Sequence, residues 1–115
     1  MRKLLLLLIS LVAFTVAGCS SSGTATSVGP TEFEKLTQQP GVVVLDVRTP
    51  AEYASGHLPN AVNLDVESPT FATGVSQLDP NATYAVYCRS GNRSKVALDQ
   101  MNEAGIKNAQ DLDGG

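Results

Sequence analysis

The run Val42-Val43-Val44-Leu45-Asp46 constrains this chain more than any other stretch. Its four apolar residues in a row, three of them β-branched, leave no polar face for water, so the strand they form is covered on both sides, as in a parallel sheet. Thr83 to Tyr87, after the turn Asp79-Pro80-Asn81, reads as a second strand. Shorter strands are expected around Ala61–Leu64 and within Ile106–Leu112. Helical signals fall between them. Thr31 to Glu34 spells a capping box opening a short helix with Phe33 and Leu36 on one side. Thr49, Pro50, Glu52 and Gly56 mark a second helix from cap to terminator. Phe71, Val75 and Leu78 give a third, weakened by Gly74, and Val96, Ala97, Met101 and Ala104 form one face of a fourth, ended by Gly105. Strands alternating with helices make an α/β domain, a mostly parallel sheet with helices on both faces. No internal repeat is visible.

At 115 residues the chain has room for one small domain, and its first residues are not part of it. Arg2 and Lys3 precede a mainly apolar stretch from Leu4 to Val16, thirteen residues where a spanning helix needs about 20. Small residues and Cys19 follow, the layout of an export signal. Val16-Ala17-Gly18-Cys19 resembles the lipobox of bacterial lipoproteins. That resemblance implies cleavage after a signal peptide of residues 1–18, lipidation of Cys19, and an extracytoplasmic domain held to a membrane by its lipid. Residues 19–30, small and polar, then read as the lipidated cysteine and a flexible spacer, with the domain over 31–115. Loss of Arg2 and Lys3 leaves six basic against eleven acidic residues, a formal charge of −5. Such a charge gives no electrostatic case for a nucleic-acid partner.

Cysteine usage locates the chemistry. With Cys19 lipidated, Cys88 has no partner within the chain, and an unpaired thiol in an exported protein is either reactive or bridges two molecules. Sites in open α/β sheets lie at the carboxyl ends of strands, where Asp46, Arg48 and Cys88 all emerge. The loop Cys88-Arg89-Ser90-Gly91-Asn92-Arg93 joins strand to helix. Gly91 takes positive φ without penalty, and residues Ser90 to Ser94 can turn their N–H groups onto one point at the helix start. That nest, the helix dipole and the two arginines favour a thiolate, and cysteines so placed titrate at roughly 3.5 to 7.5. A buried, inert Cys88 is the duller alternative. Arg89 reads as a cation facing substrate, whereas Arg93 is either that or a solvated helix start. Asp46 and Arg48 are expected to brace the loop through a charge-assisted bond, and His57 is read as structural.

Three segments in order, VVLDVRTPAEYASGHLPNAVNL, YAVYCRSGNRS and AGIKNAQDLDGG, resemble a single-domain rhodanese, a family of sulfurtransferases, over nearly all of the chain after the spacer. The resemblance implies a persulfide mechanism with no cofactor and no metal. Cys88 takes a sulfane sulfur from a small anionic donor such as thiosulfate, the residues from Arg89 to Ser94 bind it, and a thiol or cyanide accepts it. Two departures stand out: Asn60 replaces the family's glycine in the turn after His57, and no tryptophan-bearing helix follows Asp111-Leu112-Asp113-Gly114-Gly115, so either the sequence is a fragment or the expected domain lacks the family's final helix. Two other function classes remain open. A phosphatase or arsenate reductase of the C-x5-R kind uses the same thiolate logic, but Cys88 to Arg93 is one residue shorter than that loop. A sulfur-carrying or binding module without turnover is the other.

Overall fold

The computed structural model describes residues 26–114. The signal segment, Cys19 and the spacer up to residue 25 lie outside the described residues. Five strands, β1 (Thr26–Val28), β2 (Val42–Asp46), β3 (Val62–Asn63), β4 (Thr83–Tyr87) and β5 (Ala109–Leu112), form one sheet in the order β1-β5-β4-β2-β3. Every pairing is parallel, with Val42 to Asp46 in register against Thr83 to Tyr87 at the centre. The fully covered β2 is thus explained: Val43, Leu45 and the following Val47 enter one apolar cluster, Val42 and Val44 the other.

Helices close both faces, as the alternation requires. Helices α3 (Phe71–Ser76) and α4 (Asn92–Glu103) cover one side with Phe71, Val75, Ala97, Leu98 and Met101. Helices α1 (Pro30–Thr37) and α2 (Pro50–Ser55) cover the other with Phe33, Leu36 and Tyr53. The capping box expected at the start of α2 is present in full: the Thr49 hydroxyl accepts from the Glu52 N–H, and the Glu52 carboxylate accepts from the Thr49 N–H. Asn60 holds the turn in the left-handed region at φ 62°, a conformation asparagine visits more readily than most residues.

Three local expectations are corrected. Thr26–Val28, read as flexible spacer, is a strand whose partner β5 lies more than eighty residues away and leaves no periodic signal in three residues. The Thr31 capping box is not formed, because Pro30 already occupies the first turn and Gly29 is the cap, with no side-chain bond. On α4 the buried positions are Ser94, Ala97, Leu98 and Met101, while Val96 is half exposed and Ala104 exposed; the buried stripe runs one residue round from the apolar one. Gly74, expected to weaken α3, also faces Leu64: a Cβ there would stand 2.3 Å from Leu64 Cδ1, so that side chain would have to shift to admit one.

Candidate active site

β4 delivers Cys88 to the carboxyl end of the sheet, and the chain turns at once into α4. Gly91 makes that turn possible. It caps α4 at φ 91°, and a side chain there would also meet the Gly114 backbone N at 3.0 Å. With Gly91 left-handed, its N–H points at Cys88 Sγ from 3.0 Å and the Ser94 N–H from 3.4 Å. Cys88 is a free thiol, 3% exposed. Burial pushes this thiol up, but the hydrogen-bond donors that Ser94, Gly91 and Ser90 turn toward it outweigh it, and Cys88 lies below its ordinary value. The sulfur sits where a negative charge is held by fixed dipoles with few water molecules to reorganise.

The structure separates the two loop arginines. Arg93 Nη1 and Nη2 donate to Glu52 Oε1 and Oε2 at 2.7 and 2.9 Å, a bidentate pair joining α4 to α2. It is a half-buried, paired cation and not simply a solvated helix start. The bond with Arg93, foremost, pulls Glu52 down to about 2, so the pair stays charged through the physiological range. Arg89, next to Cys88 in the loop, is exposed and makes no hydrogen bond or ion pair among the described residues. Asn92 is also exposed, whereas Ser94 is wholly buried behind the sulfur.

Asp46 and Arg48 do come to the same rim, but the loop they brace is a different one. Arg48 Nη2 bonds Asp46 Oδ2 at 2.6 Å and the Gly56 carbonyl at 2.7 Å, pinning the end of α2. The Tyr87 hydroxyl donates to Asp46 Oδ2 at 2.9 Å and accepts from the Leu58 N–H at 3.0 Å, and Arg48 stacks over the Tyr87 ring at 5.5 Å. These side chains lie with Tyr87 on the α1/α2 side, while Cys88 belongs to the cluster of the α4 side. Burial pushes Asp46 up, yet bonds from the Arg48 side chain and backbone and from Tyr87 hold it below its ordinary value.

A cysteine with a lowered pKa in such a loop, at the end of a central parallel strand and ahead of a helix, agrees with the family that the chain matches. Residues 29–115 fit the model of the rhodanese-like domain. The chain belongs to the rhodanese family. It is 37% identical over 99 residues to an uncharacterized protein of Synechocystis, with 84% of this chain and 52% of that one covered. A thiosulfate sulfurtransferase GlpE of Pseudomonas entomophila is 37% identical over 75 residues, covering 65% of this chain and 67% of the relative. The chain thus spans about half the length of the first of these curated relatives. The crystal structure of a rhodanese-like domain protein from Staphylococcus aureus superposes with a TM-score of 0.67 at 30% identity, covering 78% of this chain and 86% of that one. The α/β class expected from the sequence, a parallel sheet with helices on both faces, is the one observed and is shared with this rhodanese-like neighbour.

Sequence reasoning missed three parts of this rhodanese site. Glu52 reads as a capping residue, and it is one, yet the same carboxylate also holds Arg93 across 41 positions. Tyr87 reads as an apolar strand residue, and only its hydroxyl at the rim shows its second role. Asp111, inside the last strand, carries the one available signal, an acidic side chain alternating with Ala109 on a strand face that should be apolar.

Proposed function

We propose that the domain is a sulfurtransferase that carries one sulfane sulfur on Cys88. The observation that carries this is the focus of N–H groups from Ser90, Gly91 and Ser94 on a single, free, buried sulfur. The Cys88 thiolate attacks the outer sulfur of thiosulfate. A new S–S bond forms, the donor's S–S bond breaks, and sulfite leaves with the electron pair. The persulfide Cys–S–S⁻ then has its negative charge near the same N–H groups. An acceptor thiolate or cyanide attacks the outer sulfur, and the Cys88 thiolate leaves with its electron pair, restored. Further support comes from the similarity to the Pseudomonas thiosulfate sulfurtransferase. The loop length, one residue below the C-x5-R pattern, favours a cradle for one sulfur over one for a tetrahedral oxyanion.

Intact mass before and after thiosulfate tests the assignment. A gain of about 32 Da at Cys88, removed by cyanide or dithiothreitol, is expected. A folded protein that never gains that mass is no sulfurtransferase for this donor.

Arg89 gives a finer expectation. It is the loop's unpaired cation, whereas the Arg93 charge is already matched by Glu52. Arg89→Ala should raise the KM for thiosulfate about tenfold, or ~1.4 kcal/mol, with kcat little changed. Added salt should raise the wild-type KM and affect the variant less, since an exposed charge is screened. Steady-state kinetics at two ionic strengths check both, and an unchanged KM would place Arg89 outside the donor's path.

A further inference from the structure

Asp111 is wholly buried on β5, and the sulfur-transfer steps described above do not use it. Its Oδ1 accepts from the Ser27 hydroxyl of β1 at 2.5 Å and its Oδ2 from the Ser94 hydroxyl at 2.7 Å. Lys95 Nζ, 3.8 Å from Oδ2, is engaged at 3.1 Å by Asp113 instead. Ser94 is the residue whose N–H faces Cys88 Sγ, so the carboxylate is one side chain removed from the nucleophile.

The Ser94 hydroxyl carries a single proton. Three acceptors compete for it: the Asp111 carboxylate, the Gly91 carbonyl at 3.0 Å, and the Cys88 sulfur, whose pKa a bond from this hydroxyl would lower. All three cannot be served. Bonds to an ionised oxygen are shorter and roughly twice as strong as neutral ones, sulfur is a weak acceptor, and the carboxylate contact is the shorter of the two formed by the hydroxyl oxygen. We propose that Asp111 is a positioning residue: it keeps the one proton of the Ser94 hydroxyl turned away from the Cys88 sulfur, so that backbone N–H groups alone hold the thiolate. Its consequence for turnover, though not the placement itself, rests on the sulfurtransferase assignment.

The other charges around the sulfur are already matched or exposed. From α4, Arg93 and Lys95 both act on the Cys88 sulfur through their charge, but Arg93 is bound to Glu52 of α2, with Glu67 also acting on it, and Lys95 to Asp113 and, at 3.8 Å, to Asp111. Arg89 of the loop is exposed, and Asp46 of β2 and Arg48 just beyond it satisfy each other on the opposite side of the sheet. Asp111 is the buried charge that reaches the sulfur through another residue's hydroxyl.

Neutralising Asp111 should release the proton to the sulfur and stabilise the thiolate. A thiolate of lower pKa attacks more slowly and leaves more readily, each by roughly threefold per unit of pKa. Loading and discharge of sulfur should therefore move in opposite directions.

The test is the pH dependence of iodoacetamide alkylation, read by mass at the Cys88 peptide of the full chain, with folding followed by circular dichroism. Asp111→Asn should lower the midpoint by about one pH unit. Ser94→Ala should leave it in place, because the hydroxyl was not serving the sulfur, and the double variant should return most of the way to wild type. In single turnovers, Asp111→Asn should load from thiosulfate about threefold more slowly and discharge to dithiothreitol about threefold faster. A rise of about one unit in Ser94→Ala would overturn the proposal, since the hydroxyl would then have been donating to sulfur all along. So would an unmoved midpoint in folded Asp111→Asn, the result of a merely structural carboxylate, which would lower only the melting temperature. Should Asp111→Asn not fold, Ser94→Ala decides alone. Alkylation shifts in a protein that takes no sulfur would strike the sulfurtransferase assignment and leave Asp111 in its role; sulfur uptake with immobile midpoints would do the reverse.

Discussion

Cys88→Ala is expected to abolish thiocyanate formation from thiosulfate and cyanide, a loss on the order of a thousandfold or more. The size follows from the lack of a substitute. The other nucleophilic atoms of the loop are the hydroxyls of Ser90 and Ser94, which are weak at neutral pH without a base, and that of Ser94 is committed to Asp111 and the Gly91 carbonyl. The N–H groups of Gly91 and Ser94 would remain and could still attract the donor anion. Thiosulfate should therefore bind the variant without reacting. Turnover by folded Cys88→Ala above the uncatalysed rate would remove the persulfide from the mechanism.

The second large effect is on stability and lies on the other side of the sheet. Asp46 is fully buried and accepts from the Arg48 N–H, the Arg48 guanidinium and the Tyr87 hydroxyl. Asp46→Ala strands a largely buried guanidinium and a buried hydroxyl at once. Breaking one partner out of such a pair costs about 3–5 kcal/mol, a large share of the 5–15 typical of a whole domain. Thermal unfolding should show a melting temperature lower by on the order of 15–30 °C. Acid adds a signature. Because the folded-state pKa of Asp46 is held down, its contribution is fully present above the unfolded value near 3.9 and is lost as pH falls through the folded one. Wild-type stability should therefore drop below about pH 4, and the Asp46→Ala curve should be flatter there. Cold, still-folded Asp46→Ala should load sulfur at a near-normal rate, since the network does not touch Cys88. A specific loss of loading without loss of stability would instead make Asp46 part of the site.

What was legible in the sequence follows from how local each signal is. The central strands announce themselves because Val42 to Leu45 and Tyr84 to Tyr87 lie between two layers of helix and carry no polar face. The α2 cap is read correctly because a capping box is written within four residues. Cys88 and Gly91 are likewise legible, since their partners lie within the next six positions. The misreadings concern relations that no window contains. Arg93 was undecided because its partner, Glu52, lies on another helix. Asp46 and Arg48 were placed at the right end of the sheet and given the wrong loop to hold, because the alternation of strand faces puts Tyr87 and Cys88 back to back. On α4, Val96 is apolar yet half exposed, and Ser94 is polar yet buried, its hydroxyl satisfied by Asp111. There the chemistry of the site overrides the hydrophobic stripe.

Strand β1 is three residues long and sits at the margin of the sheet, held by its pairing with β5 and by the Asp113 N–H donating to the Val28 carbonyl at 2.8 Å. Margins of this kind are where a native protein breathes, opening at a small fraction of the cost of global unfolding. Each such opening lifts the Ser27 hydroxyl from Asp111 and exposes a carboxylate that is otherwise wholly buried. The hydration of one buried acid is thereby tied to the fraying of the sheet's outermost strand, and amide exchange along β1 and thiol reactivity at Cys88 become two readouts of a single fluctuation.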